Sequence, residues 1–238
     1  MAVILNIETA TRACSVALSY DDSQIKVREA LDKNSHSATI TLFIEEVMKT
    51  AGVSFADLDA VAVSMGPGSY TGLRIGVSTA KGICYATDKP LIAINTLQAM
   101  AAGMVNEMES RLNETPSRST LYCPMIDARR MEVYNALYDS GFNIIRETQA
   151  EIIDENSFRD LLEKYVIVFA GDGAEKCKPM LGLQPNARFM DDFFPSAAFM
   201  VRLAEKKFHA GDFENVAYFE PFYLKDFIPG VPRVKGLV

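Results

Sequence analysis

Residues 65–83 read MGPGSYTGLRIGVSTAKGI, and this stretch decides the fold of the chain. It follows an apolar run at 58–65, so the chain passes from a strand into the glycine-rich turn 66–72 and then directly into a helix. Glycine permits positive φ in such a turn, and free N–H groups at a helix start can bind an anion. The spacing matches neither GxxxxGK[ST] nor GxGxxG, so a P-loop or a dinucleotide-binding turn has no support.

Around this turn, the first half of the chain alternates strands and helices in the order βββαβαβα. The first helix, over about 40–51, is expected to be capped by Ser35 or Ser37 and ended by Gly52. The second runs to about residue 86, and Asn95 is expected to cap the third. The predicted strands lie at 2–7, 13–20, 24–31, 58–65 and 91–94.

The same order returns after residues 110–119 (SRLNETPSRS), which are polar and irregular and predict a linker. The second set of strands is predicted at 121–126, 131–138, 142–151 and 166–170, and helices at 156–165, 174–181 and 196–209. Two βββαβαβα units resemble the two-lobed actin-like ATPase (ASKHA) fold, an α/β fold in which each lobe is ribonuclease-H-like. We predict an N-terminal lobe at 1–109 and a C-terminal lobe at 110–238. Packing of the last helix, about 196–210, on the N-terminal lobe stays open.

Composition restricts the kinds of ligand and compartment. The formal net charge is -7, and because a protein that binds RNA alone usually has a basic surface, any nucleic acid is expected to be held with a partner. No apolar run reaches the ~20 residues of a membrane span. The start, MAVILNIETA, lacks signal-peptide features, so a cytoplasmic protein is expected. Buried free thiols in a reducing compartment are expected at Cys14, Cys84, Cys123 and Cys177, which form no CxxC pair.

Catalytic and metal sites find little support among the residue types. A zinc or iron site needs imidazoles at ligand spacing, and the two histidines, His36 and His209, lie far apart in sequence. A hydrolase nucleophile at Ser69 would lie in GPGSYTG rather than GxSxG. Its base would have to be one of the two histidines, His36 or His209. An ATP-dependent sugar-kinase-like activity would need carboxylates at a cleft between the lobes, and Glu8 and Asp127 are the candidates. We assign no catalytic residue and no metal site.

The helix at 72–86 has an unusually wide apolar arc of about 200°, whereas packing on one sheet needs about 100°. Its interior glycines each cost ~1 kcal/mol relative to alanine, which close approach of another backbone could offset. An intermolecular surface is therefore expected, although close packing on the chain's own first helix is the alternative. The polar stripe left over consists of Arg74, Ser78, Lys81 and Tyr85.

As a whole string, residues 65–83 closely resemble the TsaB (YeaZ) family. Three other segments carry the same resemblance, in the family's order along both lobes: ILNIET at 4–9, DARRMEVY at 127–134 and PFYLK at 221–225. The resemblance implies a paralogue of TsaD, the subunit that transfers threonylcarbamoyl to the adenosine beside the tRNA anticodon. It implies a non-catalytic scaffold for this tRNA modification, which pairs with TsaD, helps recruit the ATPase TsaE and meets tRNA only through the complex.

The resemblance also implies where partners bind. A homodimer of the isolated chain is left open, as is ADP or ATP at the interface with TsaD; no cofactor is expected on the chain alone. The first strand ends Glu8-Thr9-Ala10, where the family often has Asp-Thr-Ser, which argues against independent nucleotide chemistry. Glycoprotease-like and sugar-kinase-like activities are the alternatives. The nucleotide candidates are Glu8, Thr9, Gly68 and Ser69. The implied TsaD-binding and self-association face consists of Ile40, Ile44, Gly72, Leu73, Gly76, Val77, Ala80 and Cys84.

Three other features each allow two interpretations. Arg129 and Arg130 are either a solvated turn or a contact to a partner or to tRNA phosphate. The Gly171-Asp172-Gly173 segment is either a plain turn or a phosphate site. An aromatic tail either packs back on the core or docks a partner, and it comprises Tyr218, Phe219, Phe222, Tyr223 and Phe227.

Overall fold

Two five-stranded sheets form the framework of the structure, a computed structural model that describes residues 2–21, 23–31, 36–111 and 119–225. In both sheets the first three strands pair antiparallel and the later strands add in parallel. The strand orders are β3-β2-β1-β4-β5 and β10-β9-β6-β7-β8. The element order of the second half therefore repeats that of the first, because each described half has five strands and three α-helices in the order βββαβαβα.

The first sheet carries its strands at the predicted places. They are β1 Val3–Glu8, β2 Ala13–Tyr20, β3 Ser23–Leu31, β4 Ala60–Gly66 and β5 Leu91–Asn95. The helices of this half are α1 His36–Ala51, α2 Tyr70–Thr87 and α3 Thr96–Arg111, with a 3₁₀ turn at Phe55–Asp57. β1 and β4 are buried almost throughout, as expected of central strands covered by helices on both faces.

The second sheet is built from β6 Thr120–Asp127, β7 Glu132–Tyr138, β8 Ile144–Ile152, β9 Val166–Ala170 and β10 Ala187–Met190. The helices are α4 Arg159–Leu162, α5 Asp172–Leu181 and α6 Val201–Ala210, which continues a 3₁₀ turn at Ala197–Met200. Sequence analysis missed β10, because four residues between turns carry too little periodicity.

The helix predicted at 156–165 is reduced to the single turn of α4. The Asp154 carboxylate accepts hydrogen bonds from the amides of Asn156 and Ser157, at 2.8 and 3.0 Å, so it caps a separate turn at residues 155–158. Phe158 then has a left-handed φ of 64°, which a helix cannot contain. These two local features shorten the helix.

Two of the predicted helix ends are confirmed. Gly52, at φ 68°, ends α1, and its amide donates to the carbonyl of Lys49 at 3.2 Å. The Asn95 side chain caps α3 by accepting from the Gln98 amide at 3.1 Å. Ser37 lies inside α1, after its start at His36, so it does not cap that helix.

Several sequence predictions fall partly outside the described residues. They concern Ser35, residues 112–118 of the predicted linker at 110–119, and Phe227 of the aromatic tail.

Helices and sheets stack in alternating layers. α1 and α2 cover one face of the first sheet, while α6 and its 3₁₀ turn lie on the other face. α3 lies between the two sheets: Ala99 and Ala102 pack with the first, and Met100 and Met104 with the second. α4 and α5 cover the outer face of the second sheet. The two sheets are thus joined through buried apolar contacts on both sides of α3.

The wide apolar arc of α2 is used within the chain, contrary to the expectation of an exposed association face. The side chains of Leu73 and Ala80 are fully buried, and Val77 packs in the core beneath the first sheet. A partner cannot touch these side chains without unfolding the helix from its sheet. The same correction holds for every residue of that predicted face: Ile40, Ile44, Gly72, Leu73, Gly76, Val77, Ala80 and Cys84 are all buried.

The glycines of α2 serve close approach of the chain's own backbone rather than of a partner. A Cβ on Gly72 would lie 2.1 Å from the carbonyl oxygen of Thr9, and one on Gly76 would lie 2.2 Å from the Thr9 hydroxyl. The segment after β1 therefore packs directly on α2, and only residues without a side chain permit that contact.

The four cysteines are free and buried, as predicted. Burial raises the pKa of the Cys14, Cys84 and Cys177 thiols to about 11, so they remain protonated and unreactive at neutral pH. Among the described residues, no helix combines the length and apolar character that crossing a bilayer requires.

Candidate functional site in the cleft between the sheets

A cleft of about 1210 Å³ opens at the carboxyl ends of the central strands of both sheets. Its first wall is the turn after β1 and the start of α2, and its second wall is the turn between β6 and β7 with the start of α5. Residues near the end of the described chain, including Tyr223 and Lys225, complete the lining. Ligands of α/β proteins bind at such strand ends, so this cleft is the candidate site.

Ser69 lines the first wall but has a structural task there. Its amide donates to the carbonyl of Ala10 at 2.6 Å, and its hydroxyl caps α2 by accepting from the Gly72 amide at 3.3 Å. His36 Nε2 lies 2.7 Å from the Thr11 carbonyl oxygen, so this nitrogen must carry a proton and donate it. In the hydrolase considered from the sequence, His36 would be the base for Ser69. Its Nε2 cannot act as that base while it donates its proton to the Thr11 carbonyl.

Glu8 and Thr9 do not line the cleft. Glu8 is fully buried; its Oε1 accepts from the Ala10 amide at 2.5 Å and from the Ser64 hydroxyl at 3.0 Å. Its Oε2 has no hydrogen-bond partner among the described residues, and burial raises the pKa of this carboxyl to about 7. Of the four nucleotide candidates, only Gly68 and Ser69 lie at the cleft.

The carboxylates of the second wall are occupied by the protein itself. Asp127 forms an ion pair with Lys176 and also accepts from the Arg129 amide at 2.8 Å. Asp172 accepts from the Asp127 amide at 2.9 Å, and burial raises the pKa of its carboxyl. One oxygen of each carboxylate is thus engaged within the protein. No cluster of three or more metal-ligating side chains occurs among the described residues.

Arg129 and Arg130 form the tip of the turn between β6 and β7, and both side chains are exposed. Their φ angles are 73° and 50°, a left-handed region that costs roughly 1–2 kcal/mol per non-glycine residue. Neither side chain makes an ion pair within the described part of the chain. Sequence analysis found these arginines but could not place them at the cleft.

The last described residues connect the two walls, a feature that sequence analysis missed. The Phe222 amide donates to the carbonyl of Met65 at 2.7 Å, and the Tyr223 ring lies 4.8 Å from the Tyr70 ring. Lys225 then pairs with Glu132 of β7 in the second sheet. Of the aromatic tail, Phe219 packs in the core below α2, while Tyr218 is exposed.

His209 lies away from the cleft. Its Nε2 is 2.7 Å from the Glu205 carboxylate one helical turn earlier, near the end of α6. Together with the position of His36, this arrangement brings no pair of imidazoles to one place.

The comparisons with known proteins agree on one group. Residues 29–180 match the family model TsaD, described as tRNA N6-adenosine threonylcarbamoyltransferase. The tRNA threonylcarbamoyladenosine biosynthesis protein TsaB of Escherichia coli (strain K12) is 34% identical over 232 residues, which cover 94% of this chain and 94% of that protein. The TsaB protein of Haemophilus influenzae is 27% identical, with coverages of 94% and 93%.

Among solved structures, YeaZ from Pseudomonas aeruginosa superposes with a TM-score of 0.75 at 23% identity, over 94% of this chain and 100% of that one. The activator of the 2-hydroxyisocaproyl-CoA dehydratase from Clostridium difficile reaches a TM-score of 0.50 at 8% identity. These likenesses confirm the predicted two-lobed actin-like α/β fold.

Proposed function

Because the chain belongs to the TsaB (YeaZ) family, we propose that it works in tRNA threonylcarbamoyladenosine biosynthesis as a non-catalytic subunit paired with a TsaD-family transferase. It helps recruit TsaE in the same assembly and meets tRNA within the complex. ADP or ATP binds at the interface with the transferase, and the isolated chain forms a homodimer through the same face. The protein acts in the cytoplasm.

The observation that carries the non-catalytic role is the state of the cleft's acid–base groups. Glu8 is buried away from the cleft, and Asp127 and Asp172 are held by Lys176 and by a backbone amide. An ATP-dependent kinase needs a carboxylate that can reach Mg²⁺ and a base that can reach the acceptor hydroxyl. The carboxylates of the cleft are engaged within the protein and His36 Nε2 donates to the Thr11 carbonyl, which supports the proposed role of a scaffold.

The proposed pairing surface is the outward side of α1 and α2, not the buried residues first expected. Tyr85 on α2 is 87% exposed and Leu42 on α1 is 62% exposed, and Arg74 and Ser78 lie on the same outward side of α2. The chain matches the transferase family model over much of its length, so the partner has a related lobe. Two related lobes can pair through equivalent helices about a pseudo-twofold axis. The proposed occupant of this face is therefore a TsaD-family partner.

A matched pair of substitutions on α2 tests this proposal. Ser78→Arg adds a bulky charge to the outward side, so the fold should persist while binding to the transferase weakens by about 2 kcal/mol or more. Ala80→Arg places the same side chain in the core, where an unpaired charge costs several kcal/mol, so it should unfold the chain.

Association is measured by size-exclusion chromatography with light scattering, and function by threonylcarbamoyl transfer to tRNA with and without this subunit. If folded Ser78→Arg chain binds the transferase as wild type does, the pairing surface lies elsewhere. If transfer proceeds equally without the subunit, the proposed function is wrong.

A further inference from the structure

We propose that the turn at Arg129 and Arg130, together with Arg12, binds the phosphate backbone of the tRNA when the chain is in its complex. This inference rests on the proposed function, since it specifies what the cleft contributes to the modification assembly.

The charges that line the cleft favour an anionic ligand. Of the three acidic groups in its described lining, Asp127 pairs with Lys176 and Glu132 pairs with Lys225, while burial raises the pKa of the Asp172 carboxyl. Arg129 and Arg130 have no ion-pair partner within the described residues. A chain with net charge -7 therefore keeps unneutralised cations together at one concave surface. Such a local field attracts a polyanion even on an acidic protein.

The arginine turn is held in place by Lys176 and by backbone hydrogen bonds. Lys176 uses its three ammonium donors on the Asp127 carboxylate and on the carbonyls of Arg130 and Glu132, the latter two at 2.8 and 2.6 Å. The turn is closed by hydrogen bonds from Ala128 to Glu132 and from Glu132 to Arg129. The turn thus keeps its left-handed backbone although arginine disfavours it. Strain of this kind clusters at binding sites.

Arg12 lines the same cleft as Arg129 and Arg130. Arg12 follows β1 on the opposite wall, and its guanidinium stacks on the Phe194 ring at 4.5 Å. Its charge also acts on Asp172, which in turn accepts from the Asp127 amide at the base of the arginine turn. Cations from both walls therefore converge on one cleft.

The size and lining of the cleft indicate the kind of phosphate ligand. At about 1210 Å³ the open cleft exceeds the 300–1,000 Å³ typical of small-molecule pockets. The carboxylates of its described lining are each engaged by a lysine or a backbone amide, which disfavours binding of the Mg²⁺ that accompanies a nucleoside triphosphate. Tyr70 and Tyr223 add aromatic surface to the wall, and arginine with aromatic side chains suits RNA. These properties fit an RNA strand better than a free nucleotide.

The test uses Arg129→Asn/Arg130→Asn in the complex with the transferase. Asparagine tolerates the left-handed region, so this double variant removes both charges while fitting the turn, and its melting temperature should stay at or above wild type. Arg188→Gln on β10 is the control, because this arginine is exposed but does not line the cleft. The probe is a fluorescein-labelled tRNA transcript, titrated by anisotropy at several salt concentrations.

The double variant should bind tRNA roughly tenfold more weakly at 0.15 M salt, and the slope of log K against log[salt] should shrink by about 1.5. Arg188→Gln should behave as wild type. Unchanged tRNA affinity in an intact complex would overturn the inference, as would an equal loss in the control. Loss of Mg-ATP or pyrophosphate binding with tRNA binding intact would mean a small-ligand site and would also overturn it.

The proposed function can fail separately. If wild-type chain does not associate with the transferase, that function is contradicted, and the same tRNA titration of the chain alone at about 20 mM salt still decides the inference. At that ionic strength weak phosphate contacts are strongly amplified. A difference between wild type and the double variant then supports it, and no difference overturns it.

Discussion

The carboxyl of Glu8 illustrates how a single residue can serve the fold at the expense of stability. It stands at the end of a central strand, where a glutamate was a nucleotide candidate, yet it is fully buried with one oxygen lacking a partner in the described part of the chain. Burial raises its pKa from 4.5 to about 7, although hydrogen bonds from Ala10 and Ser64 oppose the shift. The folded chain therefore favours the protonated form at mildly acidic pH.

We expect the stability of the protein to fall as pH rises between about 4.5 and 7. Over this range the unfolded chain ionises Glu8 freely, whereas the folded chain must keep it protonated or bury a charge. Glu8→Gln mimics the protonated form, so it should raise the free energy of unfolding at pH 8 by about 3 kcal/mol and leave it almost unchanged near pH 4.5. Urea unfolding at both pH values measures this. Equal effects at the two pH values would contradict it.

At the scale of one element, α2 shows how identical residues acquire opposite roles. Gly72 and Gly76 face the Thr9 backbone and hydroxyl within 2.2 Å of where a Cβ would stand, whereas a Cβ on Gly82 would meet nothing within 4 Å. The first two glycines let the segment after β1 pack on the helix. Gly82 is exposed and only adds backbone entropy to the unfolded state.

Alanine substitution should therefore have opposite effects along this helix. Gly72→Ala should destabilise the fold by about 3 kcal/mol or more, because the new methyl overlaps the Thr9 carbonyl. Gly82→Ala should stabilise it by about 1 kcal/mol through helix propensity. Thermal and urea unfolding of the two variants give the comparison. A folded, wild-type-like Gly72→Ala protein would show that the contact with Thr9 is looser than described.

For the whole molecule, the central feature is the position of α3 between the two sheets. Its buried residues belong to both neighbouring cores, and Gly103 gives room to the Phe199 ring of the segment before α6. Halves that share a buried apolar layer lose most of their stability when separated. The boundary between the two lobes, at residues 109 and 110, stays a prediction. It does not decide whether the two lobes unfold together.

We expect the two sheets to unfold in one transition. Calorimetric and van't Hoff enthalpies should agree, and Phe169→Ala, which empties a fully buried position in the second sheet, should lower stability by about 3–5 kcal/mol. Amide exchange should then accelerate in β1 and β4 as much as in β6 and β9. Two separate transitions, or acceleration confined to the second sheet, would show independent lobes.

The sequence by itself determined the order of the elements, the glycine turn before α2, the caps at Gly52 and Asn95, and the buried thiols. These features depend on local periodicity and on backbone preferences of single residues, which are present in any stretch of chain. The family resemblance was equally local, since it rested on short ordered strings. The secondary-structure prediction from periodicity failed for β10 and for the helix near 156–165, where few residues carry the signal.

Only the tertiary structure decided which side of α2 is buried, because a wide apolar arc fits a second layer of the same chain as well as a partner. It also decided that Glu8 is buried, that Asp127 is taken by Lys176, and that Lys225 reaches the second sheet. These facts depend on contacts between residues far apart in sequence. No local pattern contains the identity of a distant partner, and burial and pairing energies arise only when that partner is in place.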